Sequence, residues 1–204
     1  RLAYCDSELR EGRWHSNTFR SSARQLFGST VGIIGFGRIG KQVAKRLIGF
    51  GTSTFYTDLL EMPPEIEVEL KAKRVDIDTL LAKSDFVSLH VPLTELTHHL
   101  IDEVALNKMK AGVTLINCAR GPVVSEVALI AALKSGHIGG AGLDVFEVEP
   151  PAAPNPFADF ANVVLTPHHA PGTRDTMIVK FQEIFANADR FFNGERMENE
   201  ISLI

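Results

Sequence analysis

Val31-Gly32-Ile33-Ile34-Gly35-Phe36-Gly37-Arg38-Ile39-Gly40 is the stretch that decides the fold. A short apolar run of strand character enters three glycines spaced G-x-G-x-x-G, and an amphipathic segment follows from Lys41 to Phe50. In a dinucleotide site each glycine has a physical task. Gly35 turns the chain off the strand, Gly37 lets the backbone approach a pyrophosphate, and Gly40 lets the helix pack close to the strand. The N–H groups that open that helix then meet phosphate with the positive end of the helix dipole. Taken alone the pattern is weak, because glycine turns between strands and helices are common.

Ser53-Thr54-Phe55-Tyr56-Thr57 reads as a second strand ending in Asp58, close to the spacing of the acidic residue that binds an adenosine ribose. A carboxylate there accepts hydrogen bonds from the 2′- and 3′-hydroxyls and repels a 2′-phosphate. No Arg or Lys immediately follows Asp58, so the pattern favours NAD over NADP.

Strand and helix alternate onward from this unit. Met62-Pro63-Pro64 breaks the chain, and residues 65–75 read as an acidic, exposed connection. Asp76 is placed to cap a helix over 77–83, Asp102 one over 103–107, and Ser125 with Glu126 opens one that Gly136 closes. Further strands are expected over 85–90, 113–117, 140–145 and 162–166, and a last helix over about 173–192. Six strands separated by helices predict an α/β doubly wound parallel sheet. Three parts follow: an N-terminal arm over 1–29, a dinucleotide-binding domain over 30–177, and a C-terminal helix and tail over 178–204. Trp14, in the arm, reads as a packing anchor at a subunit contact.

Composition narrows the partners. The 204 residues suit one domain with appendages, and 45% apolar with 23% charged residues is ordinary for a globular protein. A net charge of −4 offers no basic excess, which argues against nucleic acid. Two cysteines, Cys5 and Cys118, are too few for a disulfide framework and fit a reducing cytoplasm. No apolar run reaches membrane-spanning length.

Ligands of such sheets bind beyond the carboxyl ends of the strands. Polar residues gather there in this sequence: Asp58, His90, Asn117 to Arg120, Asp144 and His168. Arg120, in a glycine-bounded turn, suits a bidentate grip on a carboxylate, although an isolated arginine after a strand is as often a surface residue. Asp144 suits either a contact to the cofactor ring or a cap. Glu149 precedes Pro150, and His168 follows the last strand in Thr166-Pro167-His168-His169. A carboxylate bonded to an imidazole favours its protonated form, and a positioned imidazolium is a suitable general acid. The sequence leaves open whether Glu149 meets His168.

These residues carry a family resemblance. The chain resembles the D-isomer-specific 2-hydroxyacid dehydrogenases, a group that includes phosphoglycerate dehydrogenase, glyoxylate/hydroxypyruvate reductase, D-lactate dehydrogenase and formate dehydrogenase. The matching blocks are Gly35–Gly40 with Asp58, Ser84-Asp85-Phe86-Val87-Ser88-Leu89-His90-Val91-Pro92-Leu93-Thr94, Asn117–Gly121, Gly142–Phe146 through Glu149-Pro150, and Leu165-Thr166-Pro167-His168. They stand in the family's order from about Gly12 to the end.

The resemblance implies a Rossmann-type NAD-binding domain, and roles for the matching positions. Arg120 would bind the substrate carboxylate and polarise the 2-oxo group, His168 would exchange the proton, and Glu149 would tune His168. Arg38 and Ile39 would meet the pyrophosphate and Asp58 the ribose. Val91, Pro92 and Thr97 would line the cofactor channel, while Cys118, Ala119 and Asp144 would flank the nicotinamide. NADH would then give a hydride to the carbonyl carbon of a small 2-oxo acid as His168 protonates its oxygen. The family also implies a homodimer, and a substrate-binding half that is largely absent from these residues, so the fragment alone is expected to bind NAD and turn over 2-oxo acids negligibly. An alternative on the same fold is an NAD-sensing, protein-binding module of the corepressor kind.

The sequence departs from the family pattern after His168, where His169-Ala170-Pro171-Gly172 replaces a small apolar residue and glycine. His98-His99 lacks a third ligand at metal spacing, so solvated histidines and no metal site are expected. Cys118 is not expected to act as a nucleophile, because the inferred chemistry needs no thiolate.

Overall fold

The computed structural model describes residues 2–20, 23–170 and 172–200. Arg1, Pro171 of the departure after His168, and the last four residues of the expected tail lie outside them. Seven strands form one parallel sheet: β1 (Thr30–Ile34), β2 (Ser53–Thr57), β3 (Ala72–Arg74), β4 (Phe86–Leu89), β5 (Val113–Asn117), β6 (Ile138–Leu143) and β7 (Val163–Leu165). Their order is β3-β2-β1-β4-β5-β6-β7, so the direction of winding reverses between β1 and β4.

β1 is buried from Val31 to Ile34, as a central parallel strand covered on both faces must be. Alternation along it feeds two separate cores. Val31 and Ile33 pack with Phe36, Ala44, Leu47, Tyr56, Leu70 and Ala72. Ile34 joins the larger cluster around Leu80, Leu89, Leu106, Leu115, Leu129 and Phe157. Each of the valine, leucine, isoleucine and phenylalanine side chains among them contributes about 1.5–3 kcal/mol when removed from water.

The helices are α1 (Leu2–Arg10), α2 (Arg38–Leu47), α3 (Pro64–Leu70), α4 (Ile77–Lys83), α5 (Glu103–Lys108), α6 (Glu126–Lys134) and α7 (Arg174–Phe192). Side chains of Asp76, Asp102, Ser125 and Thr173 accept from the first-turn amides of α4, α5, α6 and α7. α2 differs: Gly37 caps it with no side-chain bond, leaving its leading amides without that partner.

The structure adds a seventh strand to the six expected. The connection over 65–75 is not an exposed loop: it forms α3 and the edge strand β3, with Leu70 and Ala72 buried. Pro64 does not break this segment but starts a helix, where its missing N–H costs nothing. The strand expected over 140–145 runs from Ile138 to Leu143, so Asp144 lies just beyond it.

The chain divides into two compact units, residues 1–167 and 168–204. In the first, α1 buries none of its side chains and Trp14 is 76% exposed. Glu8 ties this arm to itself through Arg13 and His15, which hold its carboxyl down at about 2. The second unit holds His168, His169 and α7, which runs unbroken through positions 177 and 178.

Candidate functional site

Register gives the sheet a level carboxyl edge. Ile34 aligns with Thr57 on one side and Leu89 on the other, Leu89 with Asn117, Asn117 with Leu143, and Leu143 with Leu165. The residues that follow are Gly35, Asp58, His90, Cys118, Asp144 and Thr166, and each leaves its strand at the same height. The winding reverses between the Gly35 and His90 ends, which opens the crevice in which such sheets bind ligands.

Gly35 has φ +92°, and a side chain there would run into the His90 carbonyl and Val91. Only glycine fits. A Cβ on Gly40 would overlap the Gly35 carbonyl oxygen, so the first turn of α2 lies directly against the loop. At Gly37 a Cβ would meet nothing, and Arg38 and Ile39 beside it are exposed. Open space over an uncapped helix start is the cradle a pyrophosphate needs. The Asp58 carboxylate faces the same loop. It accepts from the Phe36 amide at 2.6 Å and from the Leu60 amide at 2.9 Å. These residues fit a dinucleotide.

His90 carries a burial-lowered pKa, and its Nε2 lies 2.9 Å from the Ser88 hydroxyl. Its backbone carbonyl, not its ring, lies against the glycine loop. Thr97 Oγ1 donates to the Pro92 carbonyl at 2.6 Å and accepts from the Thr94 amide at 2.8 Å, folding the segment after β4.

Asn117, 1% exposed, builds the next turn. Its Nδ2 donates to the Arg120 carbonyl at 2.9 Å and its Oδ1 accepts from the Ala119 amide at 3.0 Å. Arg120 is exposed, with Nη1 donating to the Ala119 carbonyl at 2.6 Å. A side chain on Gly121 would collide with the Phe146 carbonyl, which welds this turn to the segment after β6. There the buried Asp144 accepts from the Thr166 hydroxyl at 2.6 Å, and the Phe146 amide donates to Glu149 at 3.0 Å. Desolvation and the Asp144 charge push the Cys118 thiol up, which disfavours thiolate.

The first unit thus brings together Gly35, Gly37, Arg38, Ile39, Gly40, Asp58, Val91, Pro92, Thr97, Cys118, Ala119, Arg120, Asp144 and Glu149 along one edge of one sheet. His168 opens the second unit with φ +49°, a left-handed conformation uncommon outside glycine.

One cluster was invisible in the sequence. The Glu147 amide donates to Glu126 at 2.8 Å, the Glu126 amide donates back to Glu147 at 2.9 Å, and His99 lies 3.1 Å from the same Glu147 carboxylate. Burial, and beside it the Glu147 charge, push the Glu126 carboxyl up. His99 is therefore not a solvated histidine: it is half-buried and paired, while His98 stacks on it exposed. No group of three metal-binding side chains occurs among the described residues, nor any helix long and apolar enough to cross a membrane.

Fold and edge together define a dinucleotide-binding domain of the doubly wound, Rossmann type. The family described as D-isomer specific 2-hydroxyacid dehydrogenase, NAD binding domain, matches residues 1–170, and the chain belongs to it. The chain is 42% identical over 204 residues to a glyoxylate reductase of Korarchaeum cryptofilum, covering 99% of this chain and 61% of that protein. It is 43% identical over 176 residues to a hydroxypyruvate reductase of Thermotoga maritima, covering 85% of this chain and 56% of that protein. Among solved structures it resembles the apo D-mandelate dehydrogenase of Rhodotorula graminis, with a TM-score of 0.89 and 36% identity over 100% of this chain and 61% of that one. The chain therefore spans a little under two thirds of the length of these relatives. None of them supports the protein-binding alternative.

Proposed function

We propose that this domain serves an NAD-dependent reductase of small 2-oxo acids, within a cytoplasmic homodimer. NADH, when bound, supplies the hydride for the carbonyl carbon. Arg120 grips the substrate carboxylate and steadies the charge developing on the 2-oxo oxygen. His168 gives that oxygen its proton, and Glu149 serves as the carboxylate that tunes it. Asp58 takes the adenosine ribose, the amides of Arg38 and Ile39 the pyrophosphate, and Asp144, Cys118 and Ala119 flank the nicotinamide.

The observation that carries this reading is the level edge on which the glycine loop, Asp58 and the Asn117-braced Arg120 stand in one row. Relatives that reduce glyoxylate and hydroxypyruvate point to small substrates. The exposed Trp14 and the unburied α1 support a subunit contact at the arm, and free Cys5 and Cys118 support a reducing compartment.

The test is NADH oxidation by the protein that carries this domain, screened against 2-oxo acids. Turnover lost in Arg120→Ala through a raised KM, and in His168→Gln through kcat, is expected. Absence of turnover on every 2-oxo acid, with NADH-dependent binding of a protein partner instead, would sink the proposal. Sedimentation at micromolar concentration tests the dimer, and a clean monomer counts against it.

A further inference from the structure

Arg74 stands on β3, a strand of three residues with no period legible in the sequence. It ends that edge strand opposite Tyr56, two residues before Asp58 on β2. Its Nη2 donates to the Asp58 carbonyl oxygen at 3.1 Å, and its Nη1 lies 3.4 Å from the Glu61 carboxylate. The Arg74 side chain is 35% exposed and that of Glu61 83% exposed. A permanent cation thus stands within one residue of the carboxylate assigned to the adenosine ribose, delivered by a strand 16 positions further along.

The guanidinium is a planar fork of five donors, the geometry that phosphate oxygens accept. Its anchor is a neutral carbonyl, and its ionic neighbour is a mostly exposed carboxylate whose hold on it is weak. A ribose carrying a 2′-phosphate would therefore meet two opposed fields. The Asp58 carboxylate repels it and Arg74 attracts it, while Glu61 offsets part of the attraction.

We propose that Arg74 is a selectivity-determining residue for the cofactor. It gives this chain a residual capacity for NADPH, which Asp58 limits and Glu61 damps. The inference rests on the assignment of Asp58 to the ribose. The absence of a basic residue directly after Asp58 makes NAD the preferred cofactor but does not leave the ribose end without a cation.

Titrating the 204-residue chain with NADH and with NADPH at low ionic strength, followed by nucleotide fluorescence, tests this. The readout is the ratio of the NADPH Kd to the NADH Kd. In Glu61→Gln the ratio falls about threefold, and in Arg74→Gln it rises about fivefold, the scale of one partly exposed charge. Arg74→Lys lies between, because it keeps the charge and loses the fork. The shifts shrink as salt is raised. Glu61→Gln changes an exposed side chain and predicts a gain, which misfolding does not mimic. If NADH binds the parent chain but neither variant moves the ratio, the inference fails while the Asp58 assignment stands. If the folded parent chain binds neither nucleotide, that assignment fails and the inference with it.

Discussion

The Asp58 carboxylate accepts a hydrogen bond from the Phe36 amide at 2.6 Å, joining the end of β2 to the middle of the glycine loop. The Phe36 ring stacks on Tyr56 with centroids 3.9 Å apart, and the Tyr56 hydroxyl donates to Glu67 at 2.6 Å. Burial, reinforced by Glu67, pushes Tyr56 up to about 12, so it stays a neutral donor. The carboxylate proposed to accept from the ribose is thereby oriented before a nucleotide arrives. Asp58→Ala should weaken NADH binding about tenfold or more, the value of one or two hydrogen bonds to a charged group. Fluorescence titration checks it, and unchanged affinity would contradict the assignment.

Two glycines of the loop should separate stability from binding. Gly40→Ala drives a Cβ into the Gly35 carbonyl oxygen and should cost about 2–3 kcal/mol in urea unfolding. Gly37→Ala adds its methyl to open space and should leave the unfolding midpoint near the parent's while weakening NADH. Equal losses of stability in both variants would argue that the loop is only a packing element.

Glu126 sets a pH dependence. Burial and Glu147 raise its pKa in the folded chain, so the folded state holds more protons than the unfolded state between the ordinary value of 4.5 and the raised one. Its stabilising contribution is complete below 4.5 and is lost as the pH rises through the folded pKa. Glu126→Gln can still accept from the Glu147 amide. The variant should therefore melt above the parent at pH 7, with the gap closing as the pH approaches 4.5. A gap that widens on acidification would refute the sign.

Asn117→Ala removes both bonds that fold the turn bearing Arg120, at a site 1% exposed. It should cost about 1–3 kcal/mol, because the Ala119 amide and Arg120 carbonyl lose their partner. In the protein that carries this domain, KM for the 2-oxo acid should rise more than kcat falls. Intact stability with normal KM would show that the turn holds without it.

Much of this fold was written locally in the sequence. β1, β2 and β5 are short apolar or alternating runs bounded by Gly, Asp or Asn, and Asp76, Asp102 and Ser125 announced their helices. What escaped was non-local. β3 has three residues, too few to show a period, and it exists because Thr54–Tyr56 offer it an edge. Arg74 beside Asp58, and His99 with Glu126 and Glu147, are joined only when loops 16 to 48 positions apart converge. The requirement for glycine at 121 likewise comes from Phe146 and not from its neighbours in sequence.

Calorimetric titration of NADH into the 204-residue chain, run beside Gly37→Ala and Asp58→Ala, tests the dinucleotide site most directly. One saturable NADH per chain is expected, weakened in both variants while they remain folded by circular dichroism. A folded parent chain that shows no binding up to millimolar NADH, or one whose binding neither substitution touches, would contradict it.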